Sequence, residues 1–123
     1  MSGKRKSVYV SHAHADAAVV PRVLERLRAM GLLGTDDEVY VASDLGSGHA
    51  SLRDGVRRQI QSASTVVILW SQSSARSQWV NYEIGLADAF GKRIIPVVLS
   101  GDAASLPMPI QQWQAVVMEP GDA

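Results

Sequence analysis

The chain has 123 residues, 46% of them hydrophobic and 20% charged, the size and balance of one globular domain around one core. Twelve Lys and Arg against twelve Asp and Glu leave a formal net charge of +0, which excludes bulk attraction to nucleic acid or to an anionic membrane. Without cysteine there is no disulfide, thiol chemistry or Cys-ligated zinc, and no apolar run is long enough to span a bilayer.

The N-terminal residues 1–7 carry the basic cluster Lys4-Arg5-Lys6 and are expected to be a flexible lead-in. Met1 to Val10 lacks the apolar stretch of a signal peptide, so a soluble, cytoplasmic chain is expected. Val8-Tyr9-Val10 predicts a strand that ends at Ser11-His12. From Ala17 to Met30, Val19, Val20, Val23, Leu24, Leu27 and Met30 recur at three- and four-residue steps and predict a helix. Pro21 fits its first turn and Gly31 closes it. Val39-Tyr40-Val41 predicts a second strand, ending in Ala42-Ser43-Asp44. The Gly-rich loop Gly46-Ser47-Gly48 then leads to a helix over Ala50 to Ser62, built on Leu52, Val56 and Ile60.

Thr65 to Trp70 is apolar almost throughout, as a strand buried on both faces should be. A serine-rich loop is predicted over Ser71 to Ser77, then a helix over Gln78 to Phe90 with Ser77 or Ser74 as N-cap and Gly91 as stop. Arg93 to Leu99 predicts a fourth strand and Ala115 to Met118 a fifth. The single domain is expected over 8–119, with 120–123 as a tail.

Continuously apolar strands alternating with helices imply a parallel sheet covered on both faces. Right-handed crossovers then predict a doubly wound, flavodoxin-like α/β fold: an open five-stranded parallel sheet of order 2-1-3-4-5. Ligands of such sheets sit outside the carboxyl ends of the strands at the switch point, here between strands one and three. The loops Ser11–Asp16 and Ser71–Ser77 flank that crevice, with Asp44–Gly48 close by.

Several occupants of this architecture fail on their chemistry. A phosphoacceptor domain needs acidic residues after strand one and an Asp ending strand three, where this chain has Ser11-His12-Ala13 and Ser71. The P-loop pattern is absent, and Gly46-x-Gly48 follows the wrong strand, with Ser51 in place of the third Gly of a dinucleotide fingerprint. His12 and His14 lack a third ligand, so no metal is expected. No G-x-S-x-G elbow supports a serine triad.

Trp79-Val80-Asn81-Tyr82-Glu83 puts Trp79 and Glu83 four residues apart on one helix face, near the rim where the crevice opens. Spacing alone also fits a solvated Glu favoured by the helix dipole, and an Asp44 that merely ends a strand. The ordered set of segments, however, resembles the TIR (Toll/interleukin receptor) domain family, and its bacterial branch most. The resemblance rests on Ser11-His12, Asp44 with its Gly-containing loop, Ser62-Ala63-Ser64 before Val66-Val67-Ile68-Leu69, Ser77-Gln78-Trp79 with Glu83, and Gly91-Lys92-Arg93-Ile94-Ile95-Pro96-Val97. It runs from about Val8 to Leu99.

The resemblance implies an enzyme that cleaves the nicotinamide–ribose bond of NAD, releasing ADP-ribose or a cyclic isomer of it as an immune signal. The family's catalytic glutamate falls on Glu83, its residue after strand one on His12, and its Asp before the second loop on Asp44. Two positions depart from the family. The aromatic common after the Gly of the loop is replaced by Ala50, with His49 adjacent, and the Cys common after the Trp is Val80.

One carboxylate suffices for such a reaction, because a pyridinium leaves as neutral nicotinamide without a general acid, unlike an alkoxide. An ionised Glu83 would then stabilise the positive charge developing on the ribose. Substrate contacts are expected from Ser11, His12, Asp44, His49, Ser74, Ser77 and Trp79, with NAD as substrate and no cofactor. Ser74 and Ser77 are equally readable as helix caps, and Trp79 as core. Family practice implies self-association through the Gly46–Leu52 loop and a sensor in cis or trans that triggers antiphage defence. The alternative is a non-catalytic TIR–TIR interaction module.

Overall fold

Strand formation follows the β-branched runs. In the structure, a computed structural model that describes residues 6–43, 50–99 and 105–118, five strands form one parallel sheet. They are β1 (Ser7–His12), β2 (Glu38–Ser43), β3 (Thr65–Trp70), β4 (Arg93–Val98) and β5 (Val116–Val117), in the order β2-β1-β3-β4-β5. All four pairings are parallel. The helices are α1 (Val20–Ala29), α2 (Ala50–Ser62), α3 (Gln72–Ala75), α4 (Gln78–Ala89) and α5 (Met108–Gln111). The doubly wound fold expected from the sequence is therefore the fold observed, strand order included.

Side-chain alternation divides the core into two layers. Tyr9 of β1, with Val66, Ile68 and Trp70 of β3 and Ile94 and Val98 of β4, packs under α2, α4 and α5. Val8, Val10, Val67, Leu69, Ile95 and Val97 face the other way, against Val20, Val23 and Leu27 of α1. Every residue of β3 is buried, which is why its sequence shows no polar alternation.

Local signals set the boundaries. Pro21 sits in the first turn of α1. Gly31 and Gly91 follow α1 and α4 with φ of 77° and 67°, left-handed conformations that other residues adopt only with strain. Ser77 caps α4, its hydroxyl accepting from the Val80 N–H.

Three segments differ from expectation. The α1 segment begins as a 3-10 helix over His14–Val19, because Pro21 removes the amide needed to continue an α-helical ladder backward. The serine-rich stretch after β3 is not all loop, since Ser71 caps the short α3. The fifth strand keeps two residues, paired only with Val97 and Val98 of β4.

Leu69 lies wholly inside the core, whereas Val41 on the edge strand β2 is 45% exposed. Leu69→Ala should cost about 2–5 kcal/mol of unfolding free energy, and Val41→Ala about 0.5 kcal/mol or less, in urea titrations read by circular dichroism.

Candidate active site

The site starts at the carboxyl end of β1. Alternation sends Tyr9 and Ser11 to the face covered by α4, and Glu83, on the second turn of α4, comes down onto them. The Tyr9 hydroxyl donates to Oε2 of Glu83, and the Ser11 hydroxyl donates to Oε1 at 2.5 Å. Glu83 is 0% exposed. It is thus not the solvated residue that its spacing alone would allow; it is a carboxylate inside the core with a hydroxyl donor on each oxygen.

Such burial is costly unless the charge is hydrogen-bonded. The donors are themselves constrained. Burial, and then the negative charge of Glu83, push the Tyr9 phenol far above its ordinary pKa, so Tyr9 remains a proton donor to Glu83 at physiological pH. Its ring also stacks on that of Tyr40 in β2, with centroids 5.5 Å apart.

Trp79 lies one turn before Glu83 on the same face of α4. It packs into the core beside Tyr82, ring centroids 5.6 Å apart, and its buried Nε1 has no hydrogen-bond partner among the described residues. Val80, the position where the family often has Cys, is fully buried.

The loops of the crevice are tied together. Asp16, in the 3-10 helix after β1, accepts a hydrogen bond of 2.5 Å from the Ser71 hydroxyl at the end of β3. The same Ser71 oxygen accepts from the Ser74 N–H at 3.2 Å, while Ser74 Oγ accepts from the Ser71 N–H at 2.6 Å. Ser74 Oγ also donates to the Ser71 carbonyl. The hydroxyls of Ser71, Ser74 and Ser77 are therefore all engaged as caps or ties in this arrangement.

Of the residues singled out in the sequence, the structure brings Ser11, Glu83 and Trp79 together on one face of the sheet. His12 is buried at the end of β1, and alternation turns it to the opposite face. Ser74 and Ser77 lie above the carboxyl end of β3, at α3 and at the start of α4. Asp44 and His49 lie outside the described residues, as does 46–49 of the Gly46–Leu52 loop; Ala50 to Leu52 begin α2. Sequence reasoning missed Tyr9 and Asp16 as parts of this network. The signal for Tyr9 was its place two residues before Ser11, which puts both hydroxyls on one face of a strand. Among the described residues no group of three or more His, Asp or Glu could hold a metal ion.

With this geometry in view, the comparisons are decisive for the family. A model of TIR domains matches residues 8–122. The chain belongs to the TIR domain family. It falls in the bacterial branch: over 100 residues it is 21% identical to TIR2 of Cytobacillus dafuensis, named as a candidate cyclic ADP-D-ribose synthase. That match covers 78% of this chain and 26% of the relative, so the chain spans about a quarter of the relative's length. The fold superimposes on the crystal structure of the TIR domain of the Toll-related receptor TRR-2 from Hydra magnipapillata with a TM-score of 0.64 and 12% identity, covering 89% of this chain and 82% of that one. It also matches a CMP N-glycosidase, BcmB, of Clostridium botulinum with a TM-score of 0.54 and 16% identity, covering 90% and 88% of the two chains.

Tyr9→Phe keeps the ring and leaves Glu83 Oε2 without its phenolic donor. It should cost about 1–3 kcal/mol in denaturant titrations at neutral pH. Because folding raises the phenol's pKa, the contribution of Tyr9 is complete below the unfolded value of about 10 and is lost as the pH climbs above it. Wild type should therefore lose stability more steeply than Tyr9→Phe above about pH 10.

Proposed function

We propose that this TIR domain is an NAD nucleosidase, cleaving the nicotinamide–ribose bond to give nicotinamide and either ADP-ribose or a cyclic ADP-ribose isomer. The observation that carries this reading is the Glu83 carboxylate, held on both oxygens by hydroxyls of β1 and standing one turn after Trp79 on α4. The likeness to a candidate cyclic ADP-D-ribose synthase supports it, and a CMP N-glycosidase on the same fold gives N-glycosidic cleavage a precedent in that protein.

The chemistry asks little of the protein. The bond between ribose and the pyridinium nitrogen breaks with its electron pair passing to nitrogen, so nicotinamide departs neutral. Positive charge is left on the ribose, and a preorganised carboxylate beside it favours the transition state over the ground state. Capture by water gives ADP-ribose plus a proton; attack by a nitrogen of the adenine ring gives a cyclic product. No cofactor enters. Ser11 orients Glu83, and Trp79 fixes the helix turn below it. His12, Asp44, His49, Ser74 and Ser77 remain our assignments for ribose and phosphate contacts, the two serines only after leaving their capping bonds.

A carboxylate with no exposed surface cannot meet a ribose until the side chains over it part. Activity in this reading depends on an event outside the resting chain, namely self-association involving the Gly46–Leu52 loop under a sensor in cis or trans. That is the behaviour of a cytoplasmic effector of bacterial antiphage immunity. Among the described residues no helix is long and apolar enough to cross a membrane.

The test is incubation with NAD, with and without forced oligomerisation, products being separated chromatographically. Nicotinamide release should rise on assembly, and Glu83→Gln should lower it by about 100-fold or more with the circular dichroism spectrum unchanged. A folded, assembled wild type that leaves NAD intact would return the chain to a non-catalytic interaction module.

A further inference from the structure

The sheet ends in two edge strands of unlike kind. At one margin β5 keeps two residues, too short to offer a template for another strand. At the other, β2 runs for six residues, Glu38–Ser43, in unbroken register with β1 and with no strand on its outer side among the described residues. Exposed edges of that length are ordinarily blunted by proline, lysine, a bulge or a charge turned inward. β2 has no proline, no lysine and no bulge, and its one charge, Glu38, stands at its first residue.

The backbone fixes what this edge presents. The Glu38 N–H donates to the Lys6 carbonyl at 2.9 Å, so Glu38 and, two residues on, Tyr40 turn their N–H and C=O groups toward β1. Val39 and Val41 therefore turn theirs outward. The side chains match this openness: Tyr40, although stacked on Tyr9, is 40% exposed, and Val41 is 45% exposed. They lie on opposite faces of the sheet, so what buries both is a strand laid alongside β2, not a helix laid over one face.

β2 is complementary to itself. In an antiparallel pair about a two-fold axis, residues that turn their backbone groups outward must stand opposite each other. Centring the axis on Tyr40 sets Val39 opposite Val41 of the second copy, where they exchange both N–H···O=C bonds. It sets Tyr40 opposite Tyr40 at the closer, non-bonded spacing. Valine thus meets valine on one face and ring meets ring on the other, pairs that stabilise a sheet. Centring on Val41 would instead put Val39 opposite Ser43 and Tyr40 opposite Ala42. Antiparallel pairing also carries the two Glu38 carboxylates to opposite ends of the joint, about 13 Å apart along the strands, so no like charges meet.

We propose that the β2 edge is an interaction surface for a second copy of this chain, the two strands pairing antiparallel about an axis at Tyr40 and joining two sheets into one. A strand edge buries less than the roughly 1,200 Å² of a stable interface, so the dimer forms when the chain is concentrated. The surface is the strand itself and not the Gly46–Leu52 loop, and pairing needs no turnover, so it stands whether or not the chain cleaves NAD.

The experiment takes the 15N-labelled chain from about 10 μM to about 1 mM, with mass read by sedimentation and amide exchange read by NMR. A dimer should grow in with concentration, and exchange of the Val39 and Val41 amides should slow with it by about tenfold or more. Val41→Lys, at an exposed position, should stay folded by circular dichroism, remain monomeric and leave the Val39 amide unprotected. Met108→Lys, at an 82% exposed position off the sheet, should dimerise as wild type does. A wild type that is still monomeric at about 1 mM would overturn the proposal. So would a dimer whose Val39 and Val41 amides exchange as in the monomer, or one that survives Val41→Lys, since the copies would then be joined through another surface.

Discussion

The rest of this structure depends on a carboxylate buried where a carboxylate is least welcome. Glu83 has no contact with solvent, and a charge there is tolerable only if hydrogen bonds replace the water it has lost. Two hydroxyls from one strand supply part of that replacement, and they can do so because β1 is an inner strand, between β2 and β3, and α4 packs against it. The cap at Ser77, the left-handed Gly91 and the tryptophan one turn below Glu83 all fix how α4 sits, and therefore where the carboxylate falls. A positioning error that a solvated glutamate would absorb would here leave an acceptor unmatched.

The same constraint explains what could and could not be read from the chain. Thr65 to Trp70, with no polar residue after its first, could only be a doubly covered strand, and Ala50 to Ser62 carries a helical stripe. Repeating patterns of that kind gave the sheet order, because connection rules leave few ways to wind such elements. Glu83 could be picked out, but not its surroundings. A tyrosine in an apolar strand looks like any other aromatic, and its hydroxyl acquires a role only when a helix 74 residues away lands on it. The serines after β3 posed the opposite difficulty. Ser71, Ser74 and Ser77 have both ligand and capping chemistry, and the exchange of bonds between Ser71 and Ser74 is a matter of local geometry that composition does not encode.

The two faces of the sheet also carry different chemistry. Under α4 the Glu83 carboxylate and the hydroxyls of Tyr9 and Ser11 are buried and matched to one another, an arrangement suited to holding one group in a fixed orientation. On the opposite face the core cluster is apolar, from Val8 and Val10 of β1 to Ile95 and Val97 of β4.

One contact carries further than its size suggests. Tyr40 belongs to the edge strand β2 and is 40% exposed, yet its ring stacks on that of Tyr9, whose hydroxyl holds Glu83. The outer margin of the molecule and its most deeply enclosed acid are thus two aromatic rings apart. The margin of the sheet is for this chain less a boundary than a handle: whatever presses on it is mechanically adjacent to the carboxylate.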